Sequence, residues 1–238
     1  MAQVFYCNWG GTDVLNTSPP SGESAYNNGT DEPTIWERIV AAGGWNGDAA
    51  YARATTKASG KSSGISALSI TNKLAFRFMF YVATLGMNSG QLVTLARFLT
   101  GGATSNGGVR VKNNSGTPQI IGQGRNASNV LEEFGSVDIE VGKWYQIEMI
   151  YQDNTASGAS YKVWNETGDT QIGTTQTCSF TTFDAASLTS HYIGCITGVT
   201  GSDNVFRFNR HTIWDDNTFP GPIVVSLGNP YYAYQQQQ

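Results

Sequence analysis

Strict two-residue alternation constrains this chain more than any other feature. Over residues 73–83, Leu74, Phe76, Phe78 and Phe80 fall on one side and Ala75, Arg77, Met79 and Tyr81 on the other. The pattern returns over 144–151, where Tyr145, Ile147, Met149 and Tyr151 share one face and Trp144, Gln146, Glu148 and Ile150 the other. Successive side chains of a strand point to opposite sides of its sheet, so period two over this length demands a strand with one well-buried face. Aromatic and β-branched residues suit that surface. The strand expected just before, over 134–140, runs into Val141-Gly142 and predicts a tight hairpin with its successor.

Other stretches continue the series. Short strands are predicted over 4–7, 51–56, 65–70, 91–99, 108–112, 119–122, 161–164, 171–175, 191–196, 205–214 and 222–227, most bounded by Gly, Asn, Ser or Pro turns. Asn165-Glu-Thr-Gly-Asp169 reads as a hairpin turn. One helix is expected over 31–43, with an extended segment as the alternative: Asp31 caps it, Pro33 sits in its first turn, Gly43-Gly44 ends it, and Ile35, Ile39 and Ala42 recur at helical spacing, with Trp36 and Val40 beside them. A single helical turn is expected over 129–134. Many short strands without alternating helices predict an all-β, two-sheet antiparallel jelly-roll sandwich with one or two short helices. The expected division is one domain over 1–228 and a tail over 229–238.

Composition narrows the function. Charged residues make up 13% and the net charge is −4. Nucleic-acid backbones need clustered Lys and Arg, so a nucleic-acid partner is not expected. No apolar run approaches the ~20 residues that span a bilayer, and the first residues lack a secretory pattern. The chain therefore reads as made and folded in a cytoplasm, unless a leader has been removed. Its three cysteines, Cys7, Cys178 and Cys195, read as free thiols, with a Cys178–Cys195 bridge as the alternative. His191 and His211 have no ligand spacing for zinc. There is no Gly-x-Ser-x-Gly, and Gly101-Gly102 and Gly107-Gly108 read as hairpin turns, not phosphate loops.

Three segments carry a resemblance. Gly142-Lys-Trp-Tyr-Gln-Ile-Glu-Met-Ile-Tyr151 resembles the G-x-W-(Y/H)-x-(V/I)-E strand of laminin-G-like, concanavalin A-like jelly rolls. The opening Phe5…Trp9-Gly-Gly-Thr-Asp-Val14…Asn16-Thr17…Ser21-Gly22 is similar to the first segment of such modules in tail proteins of phages infecting actinobacteria. The closing Phe206-Arg-Phe208…Ile213-Trp-Asp-Asp216…Phe219-Pro-Gly-Pro222 resembles their last long strand and exit. The resemblance implies a two-sheet jelly roll and a virion component, often an oligomeric adhesin or minor tail protein. The chain departs from it in having no coiled-coil or collagen-like stalk before the module.

Folds of this kind also house glycoside hydrolases, which need two carboxylates on one face. Asp138 and Glu140 share a face beside Glu132-Glu133, but no third acid completes the pattern, so no catalytic residue is expected. Glu148 reads as a solvent-side residue, with a role in binding as the alternative. Such jelly rolls often carry a rim calcium site, for which Asp13, Asp215 and Asp216 are the candidates. Sugars bind on an aromatic platform ringed by amides and carboxylates. Trp45, Asn46 and Asp48 in Gly44-Trp-Asn-Gly-Asp48 supply one, unless Trp45 caps the core. Tyr231, Tyr232 and Tyr234 read as contacts to a neighbouring copy in a homo-oligomer, a trimer. The function expected from these readings is a non-enzymatic virion surface protein, assembled in the host cytoplasm, binding host-surface polysaccharide alongside other virion proteins. The rivals are a purely structural virion subunit and a bacterial glycan-active enzyme of the same fold.

Overall fold

The alternating stretches become the two central strands of one sheet. The computed structural model describes residues 2–225, apart from residues 10, 12, 14, 17, 30–35, 42, 57–60, 101–103, 185–186, 198 and 200–202. The strands are β1 (Ala2–Cys7), β2 (Asn28–Gly29), β3 (Trp36–Val40), β4 (Ala50–Thr56), β5 (Lys61–Ile70), β6 (Lys73–Thr84), β7 (Leu92–Thr100), β8 (Thr104–Asn114), β9 (Thr117–Arg125), β10 (Leu131–Asp138), β11 (Trp144–Gln152), β12 (Ala159–Trp164), β13 (Gln171–Thr177), β14 (Leu188–Cys195) and β15 (Asn204–Asp215). An eight-stranded sheet runs β13-β12-β11-β6-β15-β4-β3, with β1 also paired to β15. A seven-stranded sheet runs β10-β9-β8-β7-β14-β5-β2. The result is an antiparallel two-sheet jelly-roll sandwich, as the strand pattern predicts.

The inner face of the eight-stranded sheet is aromatic. Phe76, Phe78 and Phe80 of β6 meet Phe206 and Phe208 of β15, with the Phe80 ring 5.4 Å from Phe206 and 5.5 Å from Phe208. Tyr145, Ile147, Met149 and Tyr151 of β11 join the same core. Few polar bonds cross it, but each ties one sheet to the other. Trp36 Nε1 on β3 donates to Ser63 Oγ on β5 at 2.8 Å, and the Tyr161 hydroxyl on β12 donates to the Ile120 carbonyl on β9 at 2.9 Å.

Five expectations are corrected. Residues 36–40 form β3, not part of a helix, and pair with β4 from Trp36–Ala54 to Val40–Ala50. Strand alternation sends Trp36 inward, edge-on to Phe208 at 5.4 Å, while Glu37 turns outward to Arg53. Asp31, Pro33 and Ile35 lie outside the described residues. At 129–134 the chain makes a turn closed by Asn129 N donating to Asn126 O at 2.9 Å, and strand begins at Leu131. β10 and β11 form no hairpin. Val137 and Ile139 pack into the same core as Tyr145 and Ile147, so the two strands face each other across the sandwich instead of pairing. Finally, residues 222–225 are not a strand, and 226–227 lie outside the described residues. Gly107 and Gly108 sit inside β8, not in a turn, whereas Gly101 and Gly102 are outside the described residues. The only helical element among the described residues is a 3-10 turn, Trp45–Gly47, so none is long and apolar enough to cross a membrane.

Candidate functional site

Directly opposed residues on neighbouring strands point the same way, so register maps the outer face of the eight-stranded sheet. Tyr6 lies opposite Thr212, Thr212 opposite Arg77, Arg77 opposite Glu148 and Glu148 opposite Lys162. One row across five strands therefore reads Tyr, Thr, Arg, Glu, Lys. The next row reads Asn209, Met79, Gln146, Trp164, and the one beyond it Arg53, Arg207, Tyr81, Trp144. A bulge in β15 fits between these rows. Arg210 takes φ +47°, which turns His211 into the core and leaves the Arg210 guanidinium outside, 4.5 Å over the Trp45 ring.

The central pair of the first row is desolvated. Glu148 is fully buried; Trp164 Nε1 donates to its Oε2 at 2.9 Å, while Oε1 has no partner. Burial raises its carboxyl above the usual range, against the pull of the Trp164 N–H, Arg77 and Lys162. Burial likewise lowers the Arg77 guanidinium, and Glu148 opposes that shift. Arg77 stacks 5.3 Å over Trp214 and donates from Nη1 to the Gly221 carbonyl, while its Nε has no partner. At the near end Tyr6 is half-buried, and burial raises its hydroxyl while Arg210 draws it down. Arg207 lies between Tyr51 and Tyr81, 4.9 Å from each ring.

A strap covers part of this face. Residues 217–225 leave β15 and run over β6 and β11 without joining a sheet. The Lys162 ammonium sits 4.2 Å from the Phe219 ring. The Gln146 side-chain amide pairs with the backbone of Ile223 in both directions, each bond 2.8 Å. Val225 N donates to Thr167 O at 2.9 Å. Ile223 and Val225 pack with Tyr81 on a second apolar cluster of Trp45, Met79 and Trp144. At Gly168 (φ +74°) an added Cβ would come within 2.3 Å of the Ile223 carbonyl, so only glycine lets the strap dock there.

The residues singled out from sequence are placed as follows. Trp45 is fully buried and donates from Nε1 to Glu166 O at 2.9 Å, so its ring is not presented to solvent. Asp48 takes both its contacts from Arg210, each 2.9 Å, and Asn46 occupies the left-handed turn between them at φ +53°. Asp13, Asp215 and Asp216 are not gathered into a cation site: no group of three His, Cys, Asp or Glu able to hold a metal occurs among the described residues. Asp216 Oδ1 instead accepts the backbone N–H groups of Asn217 and Thr218, at 2.7 and 3.1 Å. Asp138 accepts from Gln119 at 2.6 Å and Glu140 pairs with exposed Lys143 at 2.7 Å, both away from the row. Glu148 is a correction: it is no solvent-side residue but the most buried carboxylate of the outer face. Cys7, Cys178 and Cys195 are free and buried. Sequence reasoning missed Tyr6, Arg77 and Arg210. Arg77 could have been flagged as a lone cation in the most apolar strand; Tyr6 and Arg210 reach the row only through register and a bulge.

No family model matches the chain, and no curated protein matches it by sequence. Solved structures do match. An endo-β-1,4-glucuronan lyase from the fungus Trichoderma reesei superposes with TM-score 0.60 at 12% identity, covering 92% of this chain and 99% of its own. The alginate lyase from Klebsiella pneumoniae gives 0.53 at 8% identity, covering 70% and 82%. A variant of alginate lyase Aly36B in complex with alginate tetrasaccharide gives 0.50 at 9%, covering 90% and 97%. At these identities the likeness establishes the fold, a concanavalin A-like sandwich. It also corrects the expectation of a non-enzymatic virion adhesin: these three structures are polysaccharide lyases, and none of the three is a phage protein.

Proposed function

We propose that the chain is a glycan-active enzyme that cleaves an acidic, uronate-containing polysaccharide by β-elimination on the outer face of the eight-stranded sheet. The row Tyr6–Thr212–Arg77–Glu148–Lys162 carries this reading. A chain of net charge −4 places Arg77, Lys162, Arg207 and Arg210 on one face, which suits a polyanion. Aromatic rings beside those cations (Tyr81, Trp164, Trp214) offer surfaces for sugar C–H faces.

The chemistry assigns each group a task. Arg77 pairs with the substrate carboxylate and stabilises the charge that develops on it as the C5 proton leaves. Glu148 takes that proton; its raised pKa brings a carboxyl closer to the range where a base works best near neutrality. The C5–H electron pair becomes the C4–C5 double bond, the C4–O4 bond breaks, and Tyr6 protonates the leaving oxygen. Hydrolysis fits less well. A retaining pair needs carboxylates ~5–5.5 Å apart, yet two residues along β11 from Glu148 stand Gln146 and Ile150, and Asp48 and Glu37 are engaged by Arg210 and Arg53.

The test is incubation with polyglucuronate, alginate and a neutral β-1,4-glucan. Ultraviolet absorbance of a 4,5-unsaturated uronate is expected from an acidic polymer alone, with Arg77→Ala lowering kcat/KM by roughly 10²–10³-fold. New reducing ends without that chromophore would replace elimination by hydrolysis, and no cleavage of any polymer would end the proposal.

A further inference from the structure

The catalytic assignment leaves an obstruction. Glu148 is fully buried, and residues 217–225 lie on its neighbours Arg77, Gln146 and Lys162, so a sugar cannot meet it while that segment lies where it does. The segment is also held unlike any strand. Its bonds to the face are mostly made by side chains, Gln146 on the Ile223 backbone, Arg77 on the Gly221 carbonyl and Asn217 on the Gln152 side chain, with a backbone bond from Val225 to Thr167. Under it lie two polar atoms with no hydrogen-bond partner, Glu148 Oε1 and Arg77 Nε. Native interiors rarely leave charged groups so, because each forfeits its hydration without replacement.

Those contacts resemble what an acidic glycan would make. Arg77 meets a carbonyl oxygen where a carboxylate would give it charge, the Gln146 amide both donates and accepts as it would to a hydroxyl, and Lys162 lies on a ring. Two features favour a segment that leaves as a unit. Pro220 and Pro222 stiffen it around Gly221, which sits at φ +79°, and Val224 is 64% exposed, so the segment is only half packed.

We infer that residues 217–225 are a displaceable strap that occupies the glycan site in the free protein and swings off Arg77, Gln146 and Glu148 when a polyuronate chain takes its place. The inference rests on the proposed reading of this face, and it adds regulation: the reactive carboxylate is withheld until a polymer long enough to compete with the strap arrives. Short oligomers gain less on displacing it and are cleaved poorly.

Two measurements test the strap and separate its failure from that of the activity. Hydrogen exchange on the unmodified protein without ligand is expected to show the amides of Ile223 and Val225 exchanging roughly 100-fold faster than those of β11. Equal protection would overturn the strap whatever the enzyme does. In a Thr167→Cys/Val225→Cys variant the close backbone approach at these positions suits the ~4.4–6.8 Å between Cα atoms that a disulfide spans. The oxidised variant is expected to lose unsaturated product formation by roughly tenfold or more, and a reducing agent to restore it, as locked lids behave. Equal rates in both redox forms would overturn the gating and leave the elimination standing. No product from either form or from the unmodified protein would overturn the activity and leave the exchange measurement to decide the strap. Should the variant fail to fold, exchange with and without polyglucuronate decides: strap amides that keep their protection when the polymer binds overturn the displacement.

Discussion

The two faces of β6 and β11 are buried almost equally, yet they obey different physics. Phe76, Phe78, Phe80, Ile147 and Met149 belong to one apolar core, interrupted by the buried rings of His191 and His211. Arg77, Met79, Gln146 and Glu148, one residue away along the same strands, face a strap and a row of opposed charges. The inner face is closed by another sheet, which hydrogen bonds fix along its length. The outer face is closed by a segment that a few side chains hold. Burial on the inside therefore measures stability, and burial on the outside measures how far access is withheld.

Substitutions sharpen that contrast, beginning with the core. Phe78→Ala, at a fully buried ring, is expected to cost about 3–5 kcal/mol in urea unfolding; a loss below about 1 kcal/mol would mean that the inner face is no better packed than the outer. Acid should be the next largest lever, through histidines that face the core. Burial lowers His191 from 6.5 to about 3, and His211 is lowered too, by burial and by His191. The folded state binds fewer protons than the unfolded chain between those values. The stability from His191 is therefore whole above about pH 6.5 and falls as pH drops towards 3, by about 3 kcal/mol at about pH 4. A His191→Phe variant should show a visibly flatter fall in urea midpoint from about pH 6.5 to about pH 4; an unchanged slope would remove His191 as the cause.

Glu148 should behave in the opposite sense. Its folded carboxyl holds a proton more tightly than the unfolded one, even with Arg77 beside it. Its contribution thus favours the fold at acid pH and is lost as pH rises through the raised value. Glu148→Gln mimics the protonated form and is expected to stabilise at neutral pH, with no gain at acid pH, while abolishing elimination. A destabilised variant at neutral pH would mean that the outer face is an ordinary structural ion pair. The smallest effect belongs to the rim: Lys143→Ala, which breaks an exposed pair with Glu140, should leave the urea midpoint unmoved.

The inner face was readable because period two is set by the strand backbone itself. Leu74 to Phe80 and Tyr145 to Tyr151 announce their side by alternation alone. Residues 36–40 misled because five residues hold too little of either period, and the helix-start residue types Asp31 and Pro33 precede them in the sequence. The β10–β11 connection misled because a turn glycine marks a reversal without saying whether the chain returns to its own sheet or crosses to the other. Glu148 shows the deeper limit. Alternation assigns it to the outer face, but the residues that cover it lie far along the chain, and nothing local encodes that a Phe-Pro-Gly-Pro exit will fold back over it. Tyr6, Thr212, Arg77, Glu148 and Lys162 come from five separate strands, so their row exists only once register is known.

The pairing of β1 with β15 has a consequence for how the chain is made. Phe5 finds its partner in Ile213 and Cys7 in His211, so β1 waits for β15 before it is paired. Contacts this distant close slowly. A nascent chain stalled short of β15 would hold β6 and β4 with an open edge between them, exposed to pairing with a neighbour. Closure of the eight-stranded sheet is thus predicted to come late, with chaperone demand concentrated in the interval before β15 is made.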